Sequence, residues 1–282
     1  MLSGFRDVLD ERRAAGAAAG SFTCYDVTTA CGVVHAAEAA GVPVVLLVSE
    51  ASVASRDGRL LLPALGAIAR SARVPVCVQL DHASSLELIR DALASGAVGA
   101  VLADGSRLAY GDNVAFVSAA RDLARSQGAE IEVELGHVEG GEDVAAATAA
   151  GKLTDPAEAA EFVAATEASC LAVSIGNVHG TYAAEPALDW ARLDAIRAAV
   201  DVPLSLHGAS GLPESDVRRA VAAGVAKVNV NTEVRERTFA MLGSRLEELS
   251  RGWRIAELDA AIVAAVEDVV SEKLVLLGGR ER

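Results

Sequence analysis

Aromatic side chains are scarce in this 282-residue chain, at 4% of residues, although 52% of the residues are hydrophobic. A sizeable core must therefore be assembled from Val, Leu, Ile and Ala, as in helix-covered parallel sheets. Lysine is nearly missing as well: Lys152, Lys227 and Lys273 are the only three among 25 basic residues, and the net charge is −14. Such a balance argues against a surface for phosphate backbones, so nucleic acid is not an expected partner. Cysteine is sparse and unpatterned. Cys24, Cys31, Cys77 and Cys170 form no Cys-x-x-Cys pair, which predicts reduced, mostly buried thiols and no disulfide framework. No apolar run approaches the length of a membrane span, and the N-terminal MLSGFRDVLDERRAAG mixes acids with its bases, unlike a secretory leader. Together these absences predict a cytoplasmic protein with no membrane partner.

What the chain does contain is an alternation of short β-branched runs with Ala-rich amphipathic stretches, the pattern of successive βα units. Eight strands are predicted near Ser21–Cys24, Val42–Glu50, Val74–Ala83, Ala97–Asp104, Glu130–Val138, Cys170–Val178, Val202–Gly208 and Val225–Asn231. Three of them open with a Val-Pro pair, at Pro43, Pro75 and Pro203, where proline removes no interior ladder bond. Helix starts are marked between the strands. Ser84 with Glu87 resembles a capping box, Asp155 with Glu158 repeats that logic around Pro156, and Pro213 can open the helix after strand seven. Eight units without a linker or a composition break predict one α/β domain over residues 1–282. The expected architecture is a (β/α)8 TIM barrel with a C-terminal helical extension from about Arg254 onward.

In a barrel of this kind the active site lies at the C-terminal ends of the strands. His82 ends predicted strand three, His179 follows strand six and His207 closes strand seven, in a chain with only five histidines. A single histidine in an apolar strand is more often a core residue than a ligand. Three at matching strand ends instead suit a catalytic zinc ion with an open coordination position. Asp81, beside His82, adds an acid/base group, and Asp104 and Glu134 bring carboxylates to the same rim. His35 and His137 are read as bystanders. The segments HGASG (207–211) and NVNTE (229–233) follow strands seven and eight, where such barrels commonly cradle a phosphate with backbone N–H groups, so a phosphorylated substrate is expected.

The ordered set LDHAS, DGSRL, ELGHVEGGED, LTDPAEA, GNVHGTY, LHGASGLP and AKVNVNTE resembles the class II, zinc-dependent ketose-bisphosphate aldolases of the fructose-bisphosphate and tagatose-bisphosphate type. The resemblance spans nearly the whole chain. It implies a zinc ion on His82, His179 and His207, with Asp104 and Glu134 near the metal and sometimes engaged with a second ion. It implies Asp81 as the acid/base residue and Glu142, in the GGED loop, as the acid that moves the proton at the donor carbon. Gly180, Gly208, Ala209, Ser210, Asn229, Val230, Asn231 and Thr232 match the segments that hold dihydroxyacetone phosphate, and Ser49 and Arg235 join the substrate-binding candidates. Backbone oxygens around Gly180, Gly208 and Ser210 would hold a sodium or potassium ion. The implied reaction is reversible cleavage of a ketose phosphate, such as fructose or tagatose 1,6-bisphosphate, to dihydroxyacetone phosphate and an aldehyde, glyceraldehyde 3-phosphate. Relatives are dimers or tetramers, so a homodimer or homotetramer is implied, with the C-terminal helices contributing contacts.

Departures from the family pattern fall on the acceptor side. GSFTCYD (20–26) replaces GAFNVNN, putting Thr23 where relatives carry asparagine; Ala183 replaces a frequent lysine, and His137 enters the ELGxxGG stretch. An aldolase of the same mechanism acting on a different ketose phosphate is therefore the alternative. A lysine Schiff-base aldolase would need Lys227, which is more easily read as a structural residue low in strand eight. A zinc hydrolase barrel would carry His-x-His on strand one, which this chain lacks, and a non-catalytic aldolase subunit would lack part of the histidine triad.

Overall fold

The structure, a computed structural model, describes residues 1–139, 147–148, 151–182 and 185–278. At its centre eight parallel strands close into a barrel: β1 (Ala19–Thr23), β2 (Val44–Ser49), β3 (Val76–Ala83), β4 (Ala100–Ala103), β5 (Glu130–Leu135), β6 (Cys170–Val173), β7 (Leu204–Leu206) and β8 (Val225–Val230). Neighbours in the sheet follow chain order, and β1 closes onto β8 with Ala19 opposite Lys227 and Ser21 opposite Asn229. A helix follows every strand, Thr232–Arg251 being the one after β8, and the helix Ile255–Leu276 forms the C-terminal extension expected from about Arg254 onward. This is the (β/α)8 architecture expected from the alternation of patterns.

Every strand but β1 is shorter than the sequence pattern suggests, and in two of them a glycine cuts the C-terminal end. β5 stops at Leu135 because Gly136 turns left-handed at φ 88°, and β6 stops at Val173 ahead of Gly176 at φ 111°. Val138 and Val178 therefore belong to loops over the barrel mouth rather than to strands. Beyond the barrel, Ala147–Thr148 and Thr181–Tyr182 form a small parallel pair.

Helix caps mostly follow the sequence. Asp155 accepts hydrogen bonds from the N–H groups of Ala157 and Glu158, with Pro156 in the first turn, and Pro213 immediately precedes the Glu214–Ala222 helix. The Ser84 reading is corrected: Ser85 caps the Leu86–Leu93 helix, accepting from the Leu88 N–H. Ser84 instead donates its N–H and hydroxyl to Glu50.

The core has two parts. A large layer of Val, Leu, Ile and Ala lies between strands and helices. A smaller cluster fills the bottom of the barrel, where the Phe5–Ala14 helix inserts Phe5, Val8 and Leu9 against Ala19, Val45, Leu47, Cys77, Ala100 and Cys170. That plug leaves only the opposite, C-terminal end open for chemistry. Above it the barrel interior turns polar, with Ser21, Gln79, Glu132, Ser205 and Lys227 all fully buried. Among the described residues no helix is long and apolar enough to cross a membrane.

Candidate metal centre and active site

Adjacent residues of a regular strand face opposite ways, yet Asp81 and His82 are both wanted at the mouth. β3 solves this with an irregularity. His82 adopts a left-handed backbone, φ 48°, and the pairing register with β4 shifts between Leu80 and Ala83. A non-glycine residue held there costs on the order of 1–3 kcal/mol and persists only where its surroundings enforce it. Asp81 is almost fully buried in the same mouth, and Asn229 Nδ2 lies 3.4 Å from its Oδ2.

His179 arrives from the loop after β6, and His207 sits one residue beyond β7. Sequence reasoning left Asn177 without a role, and the structure supplies one. Its side chain accepts from the Ile175 N–H and donates to the carbonyls of Val173 and His207, tying the two histidine-bearing loops together. The three imidazoles gather edge to face, His82 lying 4.9 Å from both His179 and His207 between ring centroids.

One ligand atom from each of His82, Glu134, His179 and His207 can be chosen so that all four lie within 4.8 Å of one another. Asp104 is not part of that cluster. It stands behind His82, its Oδ2 at 2.7 Å from His82 Nδ1, while its Oδ1 accepts from the Ser106 N–H. A carboxylate in that place accepts the Nδ1 proton and leaves Nε2 for the centre. His207 is held the opposite way. Its Nε2 lies 3.0 Å from Glu132 Oε1, so Nδ1 faces inward, 3.0 Å from His82 Nε2 and 3.9 Å from Glu134 Oε2.

The donors fit a divalent cation. Glu134 Oε1 accepts from the Val138 N–H, while Glu134 Oε2 is buried with no hydrogen-bond partner among the described residues. A buried oxygen in that state is costly unless something positive meets it. Burial, reinforced by Asp104, pushes the Glu134 carboxyl up to about 7. Burial also pulls His207 down to about 4, which keeps its imidazole neutral, the form a metal ligand requires. His82 goes the other way. Burial opposes its charge, but Asp81 and Asp104 outweigh that and raise its pKa well above the ordinary value.

Glu132 was not foreseen from the sequence. Its place two residues before Glu134, on the same face of β5, was the available signal. It is fully buried, accepts from Gln79 Nε2 at 2.7 Å and pairs with Lys227 Nζ at 3.0 Å. Burial alone would raise its pKa, but Lys227 and His207 hold it well below the carboxylate range. His137 also lies closer than expected, Nδ1 being 2.9 Å from Ser106 Oγ and 3.8 Å from Glu134 Oε1. His35 is remote, facing Glu267 on the helical surface.

The expected substrate-binding residues divide between two faces of the mouth. Gly180, Ser210 and Thr232 line a cavity of about 320 Å³ with Tyr182, Gly211 and Glu233. Gly208 lies beside it at φ 59°, where a Cβ would meet the Val178 carbonyl oxygen at 2.0 Å, so only glycine fits. Ser210 donates its hydroxyl to Glu233, whose other oxygen is neutralised by Lys273 at 2.7 Å. Ala209, Asn229 and Val230 are buried. On the other face Asn231 accepts from the Tyr25 hydroxyl at 2.7 Å, and Arg235 lines a groove with Tyr25 and Asp26. Ser49 ends β2 and caps the next short helix by accepting from the Ser52 N–H. Glu142 and Ala183 lie outside the described residues.

The family model described as fructose-bisphosphate aldolase class-II matches residues 4–282. An uncharacterised protein of Escherichia coli K12, YdjI, is 34% identical over 258 residues, covering 91% of this chain and 90% of its own. The crystal structure of the YdjI aldolase superposes with a TM-score of 0.86 at 29% identity, over 99% of this chain and 98% of that one. A candidate fructose-1,6-bisphosphate aldolase from Coccidioides immitis gives 0.88 at 28% identity, over 96% and 95% of the two chains. A fructose-bisphosphate aldolase from Campylobacter jejuni shares the fold, with a TM-score of 0.77 at 18% identity over 96% and 93%.

Proposed function

The chain belongs to the class-II fructose-bisphosphate aldolase family, and on that premise we propose that it cleaves a ketose phosphate reversibly, using a zinc ion held by His82, His179 and His207. The observation that carries this reading is the four-donor cluster within 4.8 Å, whose buried Glu134 Oε2 has no hydrogen-bond partner among the described residues. When bound there, zinc supplies Lewis-acid stabilisation of the negative charge that cleavage leaves on the donor half. Glu134 and Asp104 balance the site's charge, and Asp104 orients His82.

Asp81 takes the proton from the hydroxyl on the carbon of the breaking bond that becomes the aldehyde, and returns it to the aldehyde oxygen in the condensation direction. Its burial excludes water, and the Asn229 amide holds one of its oxygens. The phosphate of the donor half sits against Gly180, Gly208, Ala209, Ser210 and the segment Asn229, Val230, Asn231 and Thr232, where the N-terminus of the Thr232–Arg251 helix favours an anion. A sodium or potassium ion on nearby backbone oxygens belongs to the same arrangement. Glu142 keeps its assigned part, moving the proton at the donor carbon.

Fructose and tagatose 1,6-bisphosphate are the first substrates to test. The acceptor face supports a different ketose phosphate as the second reading: Thr23 Oγ1 is buried there with no hydrogen-bond partner among the described residues, and Tyr25 bridges to Asn231. Ser49 and Arg235 meet the distal part of either substrate. Lys227 is fully buried and ion-paired, which disfavours a Schiff base. Exposed Phe239, Leu246, Trp253 and Ile255 on or between the last two helices support self-association as a homodimer or homotetramer through that extension.

Retro-aldol rates on a panel of ketose mono- and bisphosphates, with zinc and then with chelator, test the proposal. Formation of dihydroxyacetone phosphate that chelation abolishes and zinc restores is expected. Cleavage at full rate without metal would refute it.

A further inference from the structure

Lys227 is fully buried in the barrel interior, and among the described residues its hydrogen bonds go to Glu132 and Asn229 rather than to a candidate metal ligand. Its surroundings are specific. Nζ is 3.0 and 3.3 Å from the two carboxylate oxygens of Glu132 and 2.5 Å from Asn229 Oδ1. An ammonium group can only donate, so its three hydrogens have three oxygen acceptors.

Each contact constrains what lies above it. Because the amide oxygen of Asn229 points down to Lys227, its NH2 group points up, toward Asp81 Oδ2 at 3.4 Å. Because Lys227 and Gln79 hold Glu132 as an acceptor, His207 must present N–H at Nε2 and its lone pair at Nδ1. Two separate branches thus rise from one cation, one to a metal ligand and one to the acid/base residue.

We propose that Lys227 is the positioning residue of this centre, setting the His207 tautomer through Glu132 and the Asp81 orientation through Asn229. The inference rests on the aldolase reading for the role of Asp81, but its metal branch requires no substrate. An ion pair that merely balanced charge in the barrel interior would connect to neither group, and replacing both partners by apolar side chains of similar size would then be harmless.

That contrast supplies the experiment. Lys227→Met, the double variant Glu132→Met with Lys227→Met, and Asn229→Leu are compared with wild type. The measurements are the melting temperature of the metal-free protein, zinc affinity by competition with a chelating indicator, and kcat at saturating zinc on whichever ketose phosphate the wild type cleaves. Lys227→Met leaves the Glu132 carboxylate buried without its cation and should lower the melting temperature, or abolish folding. The double variant should recover the melting temperature and still bind zinc about 10- to 100-fold more weakly, the usual loss when a ligand's supporting partner is removed. Asn229→Leu should lower kcat with zinc affinity unchanged. The proposal is overturned if the double variant binds zinc like wild type, or if Asn229→Leu retains full kcat. Zinc affinity is read without substrate, so failure of the chosen sugars to react would count against the substrate assignment alone.

Discussion

Asp104 offers a sharp test of how the metal centre is built. Its Oδ2 lies 2.7 Å from His82 Nδ1, and both side chains are mostly buried, at 18% and 16% exposure. A hydrogen bond to a charged group contributes roughly 1.5–3 kcal/mol, against roughly 0.5–1.5 kcal/mol for a neutral one. Asp104→Ala removes the whole contact. At about 1.4 kcal/mol per tenfold change, zinc should bind roughly 10- to 150-fold more weakly. Asp104→Asn keeps an oxygen facing Nδ1 and loses only the charge, so its deficit should be about 1–1.5 kcal/mol, or roughly 5- to 10-fold. Loss of the Asp104 charge also makes Glu134 easier to ionise, since Asp104 is part of what raises its pKa. That change works in favour of the cation and places both variants toward the smaller losses of their ranges. Competition with a chelating indicator, at fixed pH and ionic strength, gives the two dissociation constants. Wild-type affinity in Asp104→Ala would refute the orienting role. Complete loss of binding would make Asp104 a direct ligand, contrary to its place behind His82.

Two further outcomes are expected. Glu134 is raised from 4.5 to about 7, mainly by burial, so in metal-free protein its contribution to stability is fully present below pH 4.5 and lost as pH rises through about 7. Melting temperatures across that window should fall more steeply in wild type than in Glu134→Gln, and equal slopes would contradict the assignment. At the other end of the barrel Phe5 is fully buried in the plug, and Phe5→Ala should cost about 3–5 kcal/mol in denaturant unfolding while leaving zinc affinity intact; a loss under about 1 kcal/mol would show that the plug is dispensable.

The alternation of β-branched and Ala-rich segments was sufficient to foresee the barrel, because side-chain periodicity is a local property of each strand and helix. The same periodicity placed His82, His207 and Glu134 at strand ends, and the short motifs carried Asp81 and His179. Caps were legible where the capping residue had no competitor, as at Asp155. They were not where a distant partner intervened: Glu50 captures Ser84, and the cap moves to Ser85.

Sequence alone determined the helix-covered parallel barrel and placed His82, Glu134 and His207 at or beside the C-terminal ends of its strands, since both follow from composition and from the alternation of strand and helix patterns. Only the tertiary structure decided how those residues work together. The left-handed turn at His82 allows two consecutive side chains to face the mouth, and barrel closure brings Lys227 of β8 to Glu132 of β5. Which nitrogen of each imidazole faces the centre depends on partners 22 residues away for His82 and 75 residues away for His207. Such pairings arise from the closed sheet, and no local pattern records them.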